Sequence, residues 1–274
     1  MQSRPRPPGG AKRRTLLGTT AAAVMVGLAA CGTTSASPSG SPPAGDALHG
    51  TIVVSAASSL STVFSSLAKR FEAAHPAVQL TFNFGSSSSL GDQIIQGAPA
   101  DVFATADATS MSAVAKAGDL KGRAAPFAGN TLALVVKPGN PLRITSLASL
   151  REARIVALCV ASAPCGRAAG KVLRRAHVTL PVSMVTRGLD AEATLAEVTI
   201  SDAHAAIVFV TDALTVGRLG EMVAIPRDQN VVTTYEIAVV EGTPDAQVAR
   251  AWVAFVTRPT GQRVLKRAGF LEAP

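Results

Sequence analysis

From residue 52 onward, short apolar runs alternate with segments whose apolar residues recur at helical spacing, and this rhythm constrains the fold more than any other feature. The runs at 52–55, 78–84, 101–105, 131–137, 154–160, 182–186, 205–210 and 231–240 read as strands. Between them, Leu60, Val63, Phe64, Leu67, Ala68 and Phe71 share one helix face, and His75-Pro76 stops that helix. A Ser run at 86–89 opens a second helix ended by Gly97, and Asp107 caps a third ending near Gly118. Helices are also predicted over 166–177, from Asp190 to about Val198, and from Thr211-Asp212. Thr243-Pro244-Asp245 reads as a capping hydroxyl, a first-turn Pro and a first-turn acid, opening a helix through Arg258, with a last helix over 261–268. Strands alternating with helices imply an α/β fold with parallel strands, and the repeated rhythm implies two lobes.

Small or hydroxylic residues follow each of several strands. Ala57-Ser58-Ser59, Gly85 with Ser86 to Ser89, Ala163-Pro164-Cys165-Gly166 and Gly188-Leu189-Asp190-Ala191 all stand at strand-to-helix junctions. Helix N-termini expose unpaired N–H groups and favour negative charge. Two or more such junctions meeting at one cleft would cage an anion without Lys or Arg. A single Ser is an ordinary helix cap, but only one or two of four consecutive Ser can cap one helix.

The N-terminal residues form a separate unit. Arg4, Arg6, Lys12, Arg13 and Arg14 precede an uncharged, mostly apolar run over 15–30, which reads as a signal peptide over 1–30. Leu28-Ala29-Ala30-Cys31-Gly32 resembles a lipoprotein cleavage box, with Cys31 lipidated. Arg13-Arg14 gives a loose twin-arginine likeness, less complete than the ordinary secretory pattern. Ser, Pro and Gly dominate 31–50, which reads as a tether. The chain carries 26 Lys and Arg against 18 Asp and Glu, but leaving out the five in 1–30 gives 21 against 18, or +3. With one Trp, one Tyr and no basic stripe, a nucleic-acid partner is not expected. Outside the cytoplasm, Cys159 and Cys165 favour a disulfide over free thiols, contributing about 2 kcal/mol by chain entropy and bracing the turn at Pro164.

Other chemistries lack their residues. There is no G-x-S-x-G elbow and no H-E-x-x-H. His49, His75, His177 and His204 have no second candidate ligand at metal-site spacing. Ferric-ion sites recruit several Tyr, and Tyr235 is the single one.

Several segments, in order, resemble one known family. Gln96-Gly97-Ala98-Pro99-Ala100-Asp101-Val102-Phe103-Ala104-Thr105-Ala106-Asp107 is similar to its G-A-P-A-D-[LV]-F-x-[ST]-A-D segment. Ala57-Ser58-Ser59-Leu60 is similar to A-A-S-L, and Phe84 to Leu90 to F-x-S-S-[ST]-x-L. Ala163-Pro164-Cys165-Gly166 resembles a V-P-x-G turn, and Gly269-Phe270 a closing G-F. The family is that of the molybdate-binding proteins of bacterial molybdate ABC transporters, and the likeness covers about 51–274.

The resemblance implies a type II periplasmic-binding-protein fold with lobes 51–130 plus 235–274, and 131–234. It implies a carrier rather than an enzyme, with molybdate or tungstate as ligand, no cofactor, and a permease with its ATPase subunit as partners. Metal would enter only within the oxyanion. A monomer, lipid-anchored on the outer face of the cytoplasmic membrane, is expected. Ser59 and Ser87 take positions whose hydroxyl and N–H groups hold the anion, and Cys165 and Ala191 positions that give backbone N–H groups. Phe209 stands where the family's G-[IL]-V-Y-x-[ST]-D-A segment has Tyr. A lost hydrogen bond to a charged group is worth about 1.5–3 kcal/mol, or one to two decades of affinity. A cage of donors would reject hydrogen phosphate, whose proton needs an acceptor, and would leave sulfate and molybdate to be told apart by size. Asp107 and Asp190 read as helix caps rather than such acceptors. Three other readings stay open: a sulfate-type or broader oxyanion carrier, a secreted hydrolase using Ser87, and an adhesin or sensor that has lost the ligand.

Overall fold

The computed structural model describes residues 48–273. The signal peptide over 1–30, the lipidation site Cys31 and nearly all of the 31–50 tether lie outside the described residues. The rest builds two five-stranded mixed sheets, each flanked by helices.

The first sheet has the order β2-β1-β3-β10-β4. Its strands are β1 (Gly50–Ala57), β2 (Val78–Gly85), β3 (Val102–Thr105), β4 (Ala125–Asn130) and β10 (Thr233–Val239). The second has the order β7-β6-β8-β5-β9, built from β5 (Leu132–Val136), β6 (Val156–Cys159), β7 (Val185–Gly188), β8 (Ala205–Phe209) and β9 (Glu221–Ala224). β1 pairs in parallel with β2 and β3, and β6 with β7 and β8. β10 runs antiparallel between β3 and β4, and β5 antiparallel between β8 and β9. The expectation of parallel strands therefore holds for half of the pairings. The chain leaves the first sheet at Asn130 and re-enters at Thr233, and the antiparallel strands are those bordering these two passages.

β4 and β9 were not predicted. β4 opens with Ala-Pro and contains Gly129, which weakens its strand signature, and β9 is a short exposed edge. The expected strand over 182–186 is divided. Val182–Met184 form a 3-10 turn, with Val182 at 91% exposure, and the strand begins at Val185. The predicted cap at Thr243 is also replaced. The helix starts at Ala246, Asp245 makes no side-chain cap, and the Thr243 hydroxyl donates to Asp101 Oδ1 instead. Asp101 Oδ2 accepts from the Val53 N–H at 2.7 Å, so this carboxylate joins β1 to the turn before the helix.

The helices are α1 (Ser61–Ala74), α2 (Ser87–Ile95), α3 (Ala108–Ala117), α4 (Pro164–Arg175), α5 (Ala191–Thr199), α6 (Val210–Ala213), α7 (Ala246–Thr257) and α8 (Pro259–Arg267). α1 buries Val63, Phe64, Leu67, Ala68 and Phe71, the face its apolar spacing predicts. Trp252 of α7 packs edge-on against Phe64 and Phe71, with centroids 5.6 and 5.5 Å apart, and Gln262 of α8 donates to the Phe127 carbonyl of β4. The last two helices thus return to the first sheet. Asp107 caps α3 by accepting from Ser110 N–H, and Asp190 caps α5 by accepting from Ala193 N–H. Among the described residues, no helix is long and apolar enough to cross a membrane.

Candidate functional site

The carboxyl ends of β1, β2 and β3 in one sheet and of β6, β7 and β8 in the other meet at one small pocket, with a cavity volume of about 10 Å³. Ala57, Ser58, Ser59, Gly85, Ser86, Ser87 and Ala106 line it from the first sheet, and Ala163, Pro164, Cys165, Asp190, Ala191 and Phe209 from the second. That is about the space of one water-sized sphere, so the pocket suits a small ion rather than an organic ligand. The five residues singled out from the sequence, Ser59, Ser87, Cys165, Ala191 and Phe209, all lie on its wall.

The local reason is the same at most of the junctions. A parallel strand ends, the chain turns within one to four residues, and a helix begins with its first N–H groups unpaired within the helix. The starts of α2, α4 and α5 are all present at the wall. None of the wall residues is Lys, Arg or His. Asp190 is the one ionisable side chain there, and its Oδ1 is engaged in capping α5. The pocket offers hydroxyls, backbone N–H groups and helix dipoles, which together favour a small anion.

The Ser run is not spent on capping. Ser86, at the cap position of α2, makes no side-chain cap and pairs with Ser88 Oγ at 2.9 Å. Ser87 Oγ accepts from the Ala106 N–H at 3.0 Å. No histidine lines the pocket, so Ser87 has no imidazole base beside it for the hydrolase reading. Among the described residues, no group of three or more His, Cys, Asp or Glu stands together to hold a metal ion.

Cys159 and Cys165 are joined as a disulfide, tying the end of β6 to the first turn of α4. One ion pair spans the two sheets' halves of the site. Arg167, two residues beyond Cys165 on α4, donates through Nε to Asp107 Oδ2 at 2.7 Å and through Nη2 to Ser110 Oγ at 2.8 Å. Asp107 therefore caps α3 and holds Arg167 together, a second role that the cap pattern did not reveal.

Phe209 brings no hydroxyl to the pocket wall. Tyr235 of β10, fully buried, packs edge-on against the Phe209 ring at 5.8 Å and reaches Ser59 Oγ at 2.8 Å. A tyrosine hydroxyl thus stands beside a predicted anion ligand, but it arrives from the other sheet and behind the wall. Burial, with Asp212 adding, holds that hydroxyl's pKa above its ordinary value, so it keeps its proton. Asp212, at the start of α6, was read only as part of a helix start. Burial first, then Asp190 and Glu192, push its carboxyl up to about 8, and its Oδ2 has no hydrogen-bond partner.

Residues 52–271 match the family described as bacterial extracellular solute-binding protein. The chain belongs to this family. Among solute-binding relatives, the molybdate-binding protein ModA of Mycobacterium tuberculosis is 40% identical over 254 residues, covering 92% of this chain and 96% of that one. The periplasmic molybdate-binding protein of Azotobacter vinelandii has the same fold, with a TM-score of 0.73 at 18% identity over 81% of this chain and all of that one. So does the sulfate-binding protein SubI of Mycobacterium tuberculosis, with a TM-score of 0.72 at 20% identity over 81% of this chain and 86% of that one. The expected two-sheet solute-binding fold and the resemblance to molybdate-binding proteins are both borne out by these matches.

Proposed function

We propose that this solute-binding protein captures molybdate, and tungstate with it, and delivers the anion to the permease and ATPase of an ABC importer. The observation that carries the reading is the pocket itself: a wall of hydroxyls and helix starts with no cationic side chain, in a chain 40% identical to a molybdate-binding protein. Ser59 and Ser87 give hydroxyl and N–H donors. Cys165 and Ala191 give backbone N–H groups. Phe209 supplies a ring wall and no hydrogen bond. The protein is a carrier and not an enzyme, and it holds no cofactor.

The moving units are the lobes 51–130 plus 235–274, and 131–234, hinged at the passages near Thr131 and Thr234. The anion lands on one lobe, the other closes over it, and tighter binding to the closed form drives the change. Arg167 and Asp107 latch the lobes together in that form. Cleavage after Ala30 and lipidation of Cys31 place the protein outside the cytoplasmic membrane, with 31–50 as its tether, and it works as a monomer.

Calorimetric titration of the purified protein with molybdate, tungstate, sulfate and phosphate tests this. Saturable binding of the first two alone is expected. Equal binding of sulfate would make it a broader oxyanion carrier, and absence of binding by all four would refute the carrier reading.

A further inference from the structure

Tyr235 does not line the pocket, and nothing in the proposed ligand set uses it. Its surroundings are nevertheless specific. Its ring is held edge-on by Phe127, Phe209 and Phe270, with centroids 6.1, 5.8 and 5.3 Å away. Its hydroxyl has two polar partners: Ser59 Oγ at 2.8 Å and Asn130 Nδ2 at 3.2 Å.

The direction of these bonds follows from Asn130. The backbone N–H of Thr131 can only donate, and it donates to Asn130 Oδ1 at 2.9 Å. That fixes the side-chain amide, so Nδ2 is the group facing Tyr235, and an amide nitrogen can only donate. Its second hydrogen goes to Thr211 Oγ1 at 2.8 Å. Tyr235 Oη therefore accepts from Asn130, and sending its own proton to Ser59 Oγ, its other polar partner, is the arrangement that leaves no buried O–H unpaired. Ser59 then accepts from behind, leaving its own proton free for the pocket it lines. Ser87 has the same arrangement by a different route, since the Ala106 N–H occupies its oxygen from behind. Both serines have an acceptor site filled by a protein donor.

We propose that Asn130 and Tyr235 form a one-way hydrogen-bond chain that commits Ser59 to donating its proton, so that the pocket takes fully deprotonated oxyanions and rejects protonated ones such as hydrogen phosphate. The inference rests on the carrier reading above and extends it to selectivity. Tyr235 is a positioning residue. Its hydroxyl acts on the anion through Ser59, in place of the direct contact that Phe209 lacks. Asn130 ends β4 at one lobe passage, Tyr235 lies on β10 just past the other, and Thr211 stands at the start of α6. The chain therefore anchors the donor direction at the hinge.

A double-mutant cycle on the full-length protein reads this out. Molybdate and phosphate are titrated into wild type, Tyr235→Phe, Ser59→Ala and the double variant, with thermal melts as the folding check. Tyr235→Phe should weaken molybdate binding about 3- to 10-fold, the usual worth of one hydrogen bond. It should also narrow the preference for molybdate over phosphate, because a freed Ser59 can turn its oxygen toward the phosphate proton. In the Ser59→Ala background the same substitution should have almost no effect on affinity. If the two losses simply add, or the preference over phosphate is unchanged, Tyr235 is only packing and the proposal is overturned while the carrier reading stands. If the wild type binds none of molybdate, tungstate and sulfate, both fall. Should Tyr235→Phe fail to fold, Asn130→Ala carries the same test: it frees the Tyr235 oxygen, Ser59 can donate to it, and the preference should narrow again.

Discussion

The half of the pocket built on β1, β2 and β3 presents side-chain hydroxyls, whereas the half built on β6, β7 and β8 presents backbone and apolar side chains, with Asp190 engaged in its helix cap. Ser87 Oγ in the first half accepts from the Ala106 N–H, and Ser59 Oγ is hydrogen-bonded to the Tyr235 hydroxyl behind it. Cys165, Ala191 and Phe209 in the second have no hydroxyl to orient, and their geometry depends on how tightly each helix start is tied to its strand. The tie is the disulfide and the close approach of Gly166 for α4, and the Asp190 cap for α5. In the proposed binding mode, one half offers hydroxyls that are already aimed, and the other rigidly placed helix ends. A change in the first half should remove individual hydrogen bonds, and a change in the second should misplace several at once.

The largest effect is expected at Gly166. A Cβ there would sit 2.8 Å from the Val160 carbonyl carbon and 3.0 Å from the Cys159 oxygen. Gly166→Ala must push the start of α4 away from β6, costing about 1–3 kcal/mol of stability by overpacking. Molybdate affinity should fall by at least the roughly 10- to 100-fold of one lost hydrogen bond to a charged group, because several N–H groups at the start of α4 move together. Melting and calorimetry on one sample check both, and an intact affinity would end the claim that helix placement governs the second half. Next comes Ser87→Ala. It removes one hydroxyl, worth about 1.5–3 kcal/mol against a charged ligand, so affinity should drop 10- to 100-fold with a smaller change in melting temperature.

A smaller effect is expected across the boundary of the two halves. Arg167→Ala removes the Arg167–Asp107 pair, whose side chains are 27% and 15% exposed. Part of that pairing is screened by solvent, so about a fivefold loss of affinity is expected. It should appear as faster anion release in stopped-flow traces, because a latch acts on the closed form. A change confined to the association rate would contradict the latch. The smallest effect on binding, though not on stability, is expected at Asp212. Its folded pKa of about 8 lies above the unfolded value of 3.8, so between those limits the folded protein holds a proton that the unfolded chain has lost. Stability from this group is fully present below about pH 4 and declines as pH rises toward 8. Asp212→Asn should abolish that decline, seen as the difference between wild-type and variant melting temperatures across the range.

Much of the fold was legible because its signals are local. Apolar spacing marks α1, and short side-chain caps mark α3 and α5. The pocket was legible for a related reason. Small and hydroxylic residues at strand-to-helix junctions mark the segments that meet there, and the family resemblance singles out Ser59, Ser87, Cys165 and Ala191 within them. β4 and β9 were missed because Pro, Gly and exposure blur a strand's pattern. Thr243 misled because a hydroxyl before Pro reads as a cap, whereas burial beside Asp101 offered its proton a nearer acceptor.

The linear order of residues determined the alternation of elements, the family and the residue types that line the pocket, since each depends on neighbours within a few positions. Only the tertiary structure decided which way the antiparallel strands β5 and β10 run, that Asp107 meets Arg167, and that Tyr235 stands behind Ser59. Those pairs are separated by 60 and 176 positions. No local pattern encodes such a meeting. The tyrosine hydroxyl absent at position 209 was in the sequence throughout, but a hydrogen bond depends on distance in space, and it is the path of β10 through the first sheet that brings that hydroxyl to within 2.8 Å of Ser59.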